Sequence, residues 1–554
     1  IEELQKVADR ERAPMYRVGR VTGDKQFSFV SDKGEKPIDF EIDALFGSDS
    51  KTVMKDKTVN RTYKDVTYDV SKIKEYVGQL FRLEAVGSKD WIINKVDRSG
   101  SGKVAMQQTV GELQLPLNNC GVMALDFSGT EGVATTIGHA PITGLIDPKI
   151  GSRVAIAESL TNIVWAPLKD GLQSVSLSAN WMWPANNEGE DARLYAAVKE
   201  VSDFSIDLGI NVPTGKDSLS MKQNYENDEV IAPGTVVIST VANCTDVKKI
   251  VSPLLKKDGG SIYYINISQD DFKLGGSSFG QIRNAIGKEA PTVKSTKYLK
   301  TVFNALQELI NDGKIAAGHD VSAGGLITTL LEMCFADLNL GASLYLSAIK
   351  EDDLAKVFFA ENTAVVIQAT DDNEVEKFLA SKEVDFVKLG NSTTDETLRI
   401  KKGNTEMEFN IPEMRDQWMQ TSKLMDGLQS GKAYAQERFD NYKKQPLRYT
   451  FPSNFNGKLP DFSQNKNRPK AAIIREKGSN SEREMAYMLH LAGFDVKDVH
   501  MTDLTTGRED LKDIQMLVAV GGFTNSDVFG SAKGWAGTFL YNEKAHKALT
   551  DFFA

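Results

Sequence analysis

Cysteine is nearly absent. Three occur in 554 residues, Cys120, Cys244 and Cys334, with no Cys-x-x-Cys spacing and no even-numbered framework. That excludes a disulfide scaffold and points to a reducing compartment, the cytoplasm. No run of 18 apolar residues occurs, so no membrane-spanning helix is expected. Basic charge is also short, with 66 Lys and Arg against 76 Asp and Glu and a net charge of −10. Generic binding to nucleic acid or an anionic membrane needs a basic surface, so neither is expected. An acidic chain that binds phosphates must recruit them with Mg²⁺, a lysine or backbone N–H groups. An initiator Met and a signal-peptide pattern are missing at Ile1, and the chain reads as a piece of something longer. What remains is ordinary globular composition, 41% hydrophobic and 26% charged, with length for roughly three to four domains.

Residues 1–88 mix short elements. Segments 16–21 and 26–30 are predicted as paired strands around Thr22-Gly23-Asp24, 37–45 as extended and 70–80 as helical. An α/β unit begins near Ser88. Its predicted strands are 91–96, 120–127, 172–180 and 236–241; its helices are 151–165 and 191–207, and 97–102 is a turn. A third unit, 251–400, has a strand at 261–267 and helices at 296–312 and 326–336. Residues 403–466 read as a polar connection with one helix near 414–428. From Lys470 onward, strand 471–474, helix 481–492 with a Ser481–Glu484 capping box, and strands 494–499 and 516–520 begin a parallel, doubly wound sheet.

Two stretches carry chemistry. In 151–165, with Ser152 as N-cap, Ile156, Leu160, Ile163 and Val164 gather on one side, and Glu158 and Asn162 on the other. A carboxylate and an amide oxygen one turn apart can hold a hard cation such as Mg²⁺; in isolation they read first as a solvated polar face. In Ile315-Ala-Ala-Gly-His-Asp-Val-Ser-Ala-Gly-Gly-Leu326, a strand runs through a Gly-rich turn into a helix, a setting for anion binding by backbone N–H groups. Asp320 is a candidate cation ligand and Ser322 a candidate phosphate contact, with a capped turn as the other reading; His319 reads first as a hydrogen-bonded structural imidazole. Gly215-Lys-Asp-Ser218 could cradle an anion but lacks the earlier glycine of a Walker sequence. Gly521-Gly-Phe-Thr-Asn-Ser-Asp527 after a strand suits half an oxyanion hole, or a plain tight turn.

Together these motifs resemble the large, single-chain phosphoribosylformylglycinamidine synthases (formylglycinamide ribonucleotide amidotransferases). The motifs are Ala157-Glu-Ser-Leu-Thr-Asn162, Leu177-Ser-Ala-Asn-Trp-Met182, Gly215-Lys-Asp-Ser218, His319-Asp-Val-Ser-Ala-Gly-Gly325, Val499-His-Met-Thr-Asp-Leu504 and Gly521-Gly-Phe-Thr-Asn-Ser-Asp527, in family order. The resemblance runs from Arg10-Glu-Arg-Ala-Pro14 onward.

The resemblance implies an α/β and α+β multidomain chain. It would comprise the end of a first aminoimidazole-ribonucleotide-synthase-like (PurM-like) half (1–88) and a second half with N-terminal (89–250) and C-terminal (251–402) subdomains. A connection with a helix (403–466) and the start of a class I, flavodoxin-like glutaminase (467–554) would follow. It implies a ligase of purine biosynthesis that uses ATP and glutamine to convert formylglycinamide ribonucleotide to the amidine. It also implies an auxiliary Mg²⁺·ADP or ATP site in the second half, with nucleotide contacts at Lys89, Asn118 and Ser322. Metal ligands would be Glu158, Asn162, Asp320 and Asn119, the last standing where the family has Asp. Asn keeps an oxygen donor and loses a charge, so fewer or weaker metals are expected. No cysteine lies in 467–554, so no catalytic residue of the glutaminase is expected here beyond an oxyanion loop at Gly521, Gly522 and Phe523. The Gly-rich ATP segment and the substrate site would belong to the remainder of the same polypeptide, leaving this chain inactive alone. The alternatives are a nucleotide-stabilised scaffold without catalysis, and another ATP-binding member of the superfamily, which the 470–554 region argues against.

Overall fold

Residues 132–139 alternate, with Gly132, Ala134, Thr136 and Gly138 buried and the residues between them more open, as a strand covered on one face must. In the computed structural model, which describes residues 1–47, 53–96, 98–444, 450–462, 464–528 and 530–554, this strand is central to a six-stranded sheet. The strands are β1 (Val104–Met106), β2 (Gly121–Ala124), β3 (Gly132–His139), β4 (Ser176–Met182), β5 (Asn211–Ser218) and β6 (Thr235–Cys244), in the order β1-β2-β3-β6-β4-β5. Neighbours are antiparallel except β4 and β5. Helix α1 (Pro148–Ile163) packs on β3 and β6, and α2 (Glu190–Leu208) lies beside it.

A second sheet has seven strands: β7 (Ile262–Asn266), β8 (Ile315–Val321), β9 (Gly341–Tyr345), β10 (Ala364–Ala369), β11 (Val387–Thr393), β12 (Thr397–Lys402) and β13 (Thr405–Asn410). Their order is β8-β10-β7-β11-β9-β12-β13, with β8 at an edge. Its helices are α3 (Thr296–Asn311), α4 (Gly325–Phe335) and α5 (Ile411–Gln429). One hydrophobic cluster joins α1 and the first sheet to α3 and one face of the second, through Trp165, Tyr263, Phe303 and Ile367. The other covers the opposite face with α4 and α5, through Tyr264, Phe335 and Trp418. All of this belongs to the unit Met54–Arg448.

The other unit, Ile1–Val53 with Tyr449–Ala554, is built on a parallel sheet of β14 (Lys470–Arg475), β15 (Asp495–His500) and β16 (Met516–Ala519), ordered β15-β14-β16. Among the described residues no helix is long and apolar enough to cross a membrane.

Several local expectations fail for physical reasons. Residues 16–21 form no strand: Val18 and Val21 are fully exposed, and Gln26–Phe29 pairs instead with Ile38–Glu41, so β-propensity without a partner decides nothing. Residues 91–96 are not a strand. A short helix, Asp90–Ile93, docks on α5, where the Trp91 N–H donates to Ser422 Oγ at 2.8 Å. Asp97, expected in the following turn, lies outside the described residues. The Ser481–Glu484 capping box does not form. Ser481 has φ 65° and no side-chain cap bond; the box in this unit is His500 with Asp503, opening the helix Met501–Thr506. The connection after β13 holds a second helix, Lys432–Asn441, beyond the one expected.

Candidate functional site

The site is assembled by α1 and β8. Helix α1 begins before the expected Ser152, because Asp147 accepts the Lys149 N–H at 2.8 Å and Pro148 takes the first helical position. Gly151 does not break it; it packs on Gly144, where a Cβ would come 2.6 Å from the Gly144 Cα. Farther along, α1 lies against Gly138 of β3. A Cβ there would fall 2.2 Å from Ala155 O and 2.5 Å from Ser159 N.

That approach sets Glu158 and Asn162 beside a free stretch of β3. Pairing of β2 with β3 ends at Gly121 and Thr135, so the outward groups of Ile137 and His139 need other partners. Glu158 Oε2 accepts the His139 N–H at 2.7 Å, and Asn162 Nδ2 makes a long contact of 3.4 Å with Ile137 O.

Beyond the end of α1, the Trp165 ring covers Gly318 of β8, 2.0 Å from where a Cβ would stand. Side chains alternate along a strand, so Asp320 projects to the same side, toward α1. Asp320 is buried and its Oδ2 has no hydrogen-bond partner. His319 is buried as well. Its Nε2 lies 3.2 Å from Glu332 Oε2 of α4, and its Nδ1 lies 3.1 Å from Asp320 Oδ1, in charge contact without hydrogen-bond alignment. The turn after β8 uses its own N–H groups. Gly324, at φ +93°, donates to Glu361 Oε1 at 2.7 Å, and Gly325 donates to Ser322 O at 2.9 Å. The anion site expected of these amides is thus closed at both glycines, and Ser322 remains as the turn's polar group.

A cavity of about 110 Å³ lies between these elements, lined by His139, Glu158, Thr161, Gly276, Ser322 and Glu361 among others. Burial pushes the Glu158 carboxyl up to about 8, with the acids Asp320 and Glu361 adding and the His139 N–H opposing. Burial also raises Glu361, against the N–H groups of Gly324 and Ser278. His319 is held up at about 9: burial lowers it, and contacts with Asp320 and Glu332 outweigh the burial. Two acids, Glu158 and Glu361, line this small space and the charge of Asp320 acts on Glu158 from beside it, an electrostatic liability that a cation would relieve.

The remaining expected residues lie elsewhere. Asn118 and Asn119 line a separate groove of about 650 Å³ over the open face of the first sheet. Asn118 Nδ2 binds Gln107 O and Thr109 O, and Asn119 Nδ2 is buried without a partner. Lys89 Nζ donates to the carbonyls of Glu84 and Gly87. Gly215-Lys-Asp-Ser218 is part of strand β5, not an anion cradle; a Cβ on Gly215 would meet Ala179 O at 2.4 Å, and Lys216 and Asp217 are exposed. Gly521, Gly522 and Phe523 belong to the other unit, where Gly522 bridges to Ser479 and the Gly521 carbonyl accepts the Asn480 N–H. Glu361 and Glu332 carry no local sequence signal, since tertiary packing alone brings them to the site.

Among the described residues no group of three or more His, Cys, Asp or Glu forms a ready-made metal centre. Mg²⁺ needs less, being commonly held by one or two carboxylates with water and phosphate. The unpartnered Asp320 Oδ2 and the raised Glu158 carboxyl fit that demand. The cysteines do not suit thiol chemistry: all three are buried, which pushes Cys120 and Cys334 to about 12 and Cys244 to about 11.

The model of the FGAR-AT PurM_N-like domain matches residues 88–243. That of the AIR synthase related protein, C-terminal domain, matches 257–402, and that of the CobB/CobQ-like glutamine amidotransferase domain matches 468–554. The fold is therefore PurM-like, followed by a glutamine amidotransferase domain. Phosphoribosylformylglycinamidine synthase of Dictyostelium discoideum is 36% identical over 99% of this chain and 44% of its own length. The probable chloroplastic/mitochondrial synthase of Arabidopsis thaliana is 35% identical over 100% of this chain and 40% of its own. The Homo sapiens synthase is 35% identical over 99% and 43%. The solved structure of T. maritima PurL complexed with FGAR is 14% identical, with a TM-score of 0.47, covering 62% of this chain and 55% of that one, a likeness too loose to carry an argument. This chain is a homologue of the phosphoribosylformylglycinamidine synthases, matched from end to end over a stretch that spans less than half of their length.

Proposed function

We propose that the chain carries the auxiliary Mg²⁺–nucleotide site of a phosphoribosylformylglycinamidine synthase, a site that stabilises the fold rather than performing the chemistry. One observation carries the reading. Glu158 and Ser322, far apart in sequence, line one cavity, and the buried Asp320 beside it has an oxygen without a partner. In this reading Glu158, Asn162 and Asp320 hold the metal, Ser322 meets the nucleotide, and Lys89, Asn118 and Asn119 complete the site when ligand draws the sheet-face groove and the cavity together. Bound Mg²⁺ would neutralise the acids and bridge them to phosphate oxygens. Asn119, in place of an acid, weakens that hold.

The domain assignment belongs to the same proposal: 1–88 ends a first PurM-like half, 89–250 and 251–402 form the second, 403–466 connects, and 467–554 opens the glutaminase. The whole protein, in the cytoplasm, would use ATP to activate the amide of formylglycinamide ribonucleotide and ammonia from glutamine to form the amidine. This chain's part in glutamine hydrolysis would be the backbone of Gly521, Gly522 and Phe523, with no thiol of its own.

Calorimetric titration of the chain with ADP, with and without Mg²⁺, tests the reading. ADP binding that requires Mg²⁺, is lost in Glu158→Gln and is tightened in Asn119→Asp supports it. A chain that binds no ADP in the presence of Mg²⁺ overturns it.

A further inference from the structure

We propose that His319 and Glu332 are positioning residues for Asp320, forming a relay of polar contacts, a hydrogen bond to Glu332 and a charge contact to Asp320, that turns its free oxygen toward α1. The inference rests on the reading of the site as a Mg²⁺–nucleotide site. The relay starts in the core. The Trp418 indole N–H, fully buried on α5, donates to both Val86 O at 3.0 Å and Glu332 Oε1 at 3.1 Å. Two donors thus fix the Glu332 carboxylate, because its other oxygen faces His319 Nε2 at 3.2 Å. The imidazole has a fixed orientation in turn, and its Nδ1 stands 3.1 Å from Asp320 Oδ1. Thr329 Oγ1 donates to the Asp320 carbonyl at 2.9 Å and anchors the backbone at the same point. Asp320 has one oxygen, Oδ1, in charge contact with His319 and one, Oδ2, buried and unpartnered.

Strand β8 is an edge strand, and consecutive residues of a strand project to opposite faces. The His319 ring has one nitrogen beside Asp320 and the other beside Glu332 of α4. A buried carboxylate without such support would rotate or take up a proton, since an unpaired buried charge is costly. Outer partners of metal ligands generally act this way, and their loss weakens metal binding by roughly 10–100-fold.

The test uses the intact chain and the probes Mg²⁺ and ADP. Glu332→Gln keeps an acceptor for Trp418 and removes the charge; Glu332→Asp restores the charge. The expected result is Mg²⁺-dependent ADP affinity about tenfold weaker in Glu332→Gln, recovered at least partly in Glu332→Asp, with ADP binding in EDTA unchanged. The ¹⁵N signals of the His319 ring, resolved among five histidines, should change in Glu332→Gln even without ligand. Wild-type chain that binds Mg²⁺·ADP, with Glu332→Gln binding it equally well or with His319 signals unmoved, overturns the relay and leaves the site reading intact. Wild-type chain that binds no Mg²⁺·ADP overturns both.

Discussion

Gly318 and Trp165 leave no space for a methyl group between strand and helix: a Cβ on Gly318 would lie 2.0 Å from the Trp165 ring. The contact sets the distance between α1, with Glu158, and β8, with Asp320. Gly318→Ala must push the helix away or force the indole off its rotamer, and overpacking of this kind costs about 1–3 kcal/mol. Chemical denaturation should show that loss. Calorimetry on the folded fraction should show weaker Mg²⁺-dependent ADP binding. A variant as stable as wild type would mean that the indole has room to move.

Glu361 ties two turns together. Its Oε1 accepts the N–H groups of both Gly324 and Ser278, at 2.7 and 2.8 Å. Glu361→Ala leaves both amides without a partner, at about 1–3 kcal/mol for each group that water fails to reach. Glu361→Gln keeps the acceptor and should lose much less. Urea midpoints of the two variants and wild type give the comparison, and a Glu361→Ala midpoint no lower than that of Glu361→Gln would show that the two amides do not depend on this acceptor.

Asp56 caps a helix from outside it. The helix α2 has Gly189 as N-cap, with no side chain to offer. The Asp56 carboxylate accepts N–H groups from Gly189, Asp191 and Ala192, at 3.2, 3.1 and 3.4 Å. Asp56→Ala should lower stability and Asp56→Asn should lower it much less, as at ordinary N-caps. Melting of the two variants measures the difference. Equal loss in both would point to charge rather than hydrogen bonding.

These cases show what the sequence could disclose. Helix α1 was legible because its apolar side repeats at helical spacing, and Glu158 with Asn162 fell on one side of it by the same arithmetic. The Gly-rich turn at 322–325 was legible because glycines after a strand mark it. The fate of its Gly324 amide was not, because the partner Glu361 lies outside any local pattern. The same limit hid Asp56 from α2 and Glu332 from His319. Segment 91–96 misled for a related reason: its β-branched residues favoured a strand, and docking on α5 overrode them. The capping box was sought at Ser481, a usual capping residue, and lies at His500, an unusual one. Periodicity and turn chemistry are properties of neighbours in sequence, whereas the polar partners that complete this site come from distant segments.

The last prediction concerns acid. Asp372 accepts the Ser261 N–H at 2.8 Å, the Ser261 hydroxyl at 2.6 Å and the Lys388 ammonium at 2.8 Å. Burial alone would raise its carboxyl, but these partners outweigh it and hold it down at about 2. A carboxyl depressed in the folded state binds fewer protons there than in the unfolded chain, so its contribution is present above the unfolded value near 3.8 and fades as pH falls toward 2. Asp372→Asn should therefore be less stable than wild type at pH 7, by about 1 kcal/mol once solvent screening of this partly exposed group is allowed for. The gap should stay constant from pH 7 to 5 and narrow between pH 4 and 3. Urea denaturation of both proteins at pH 7, 5, 4 and 3 measures it. A gap that remained as wide at pH 3 as at pH 7 would assign the stabilisation to neutral hydrogen bonds rather than to the Asp372–Lys388 charge pair.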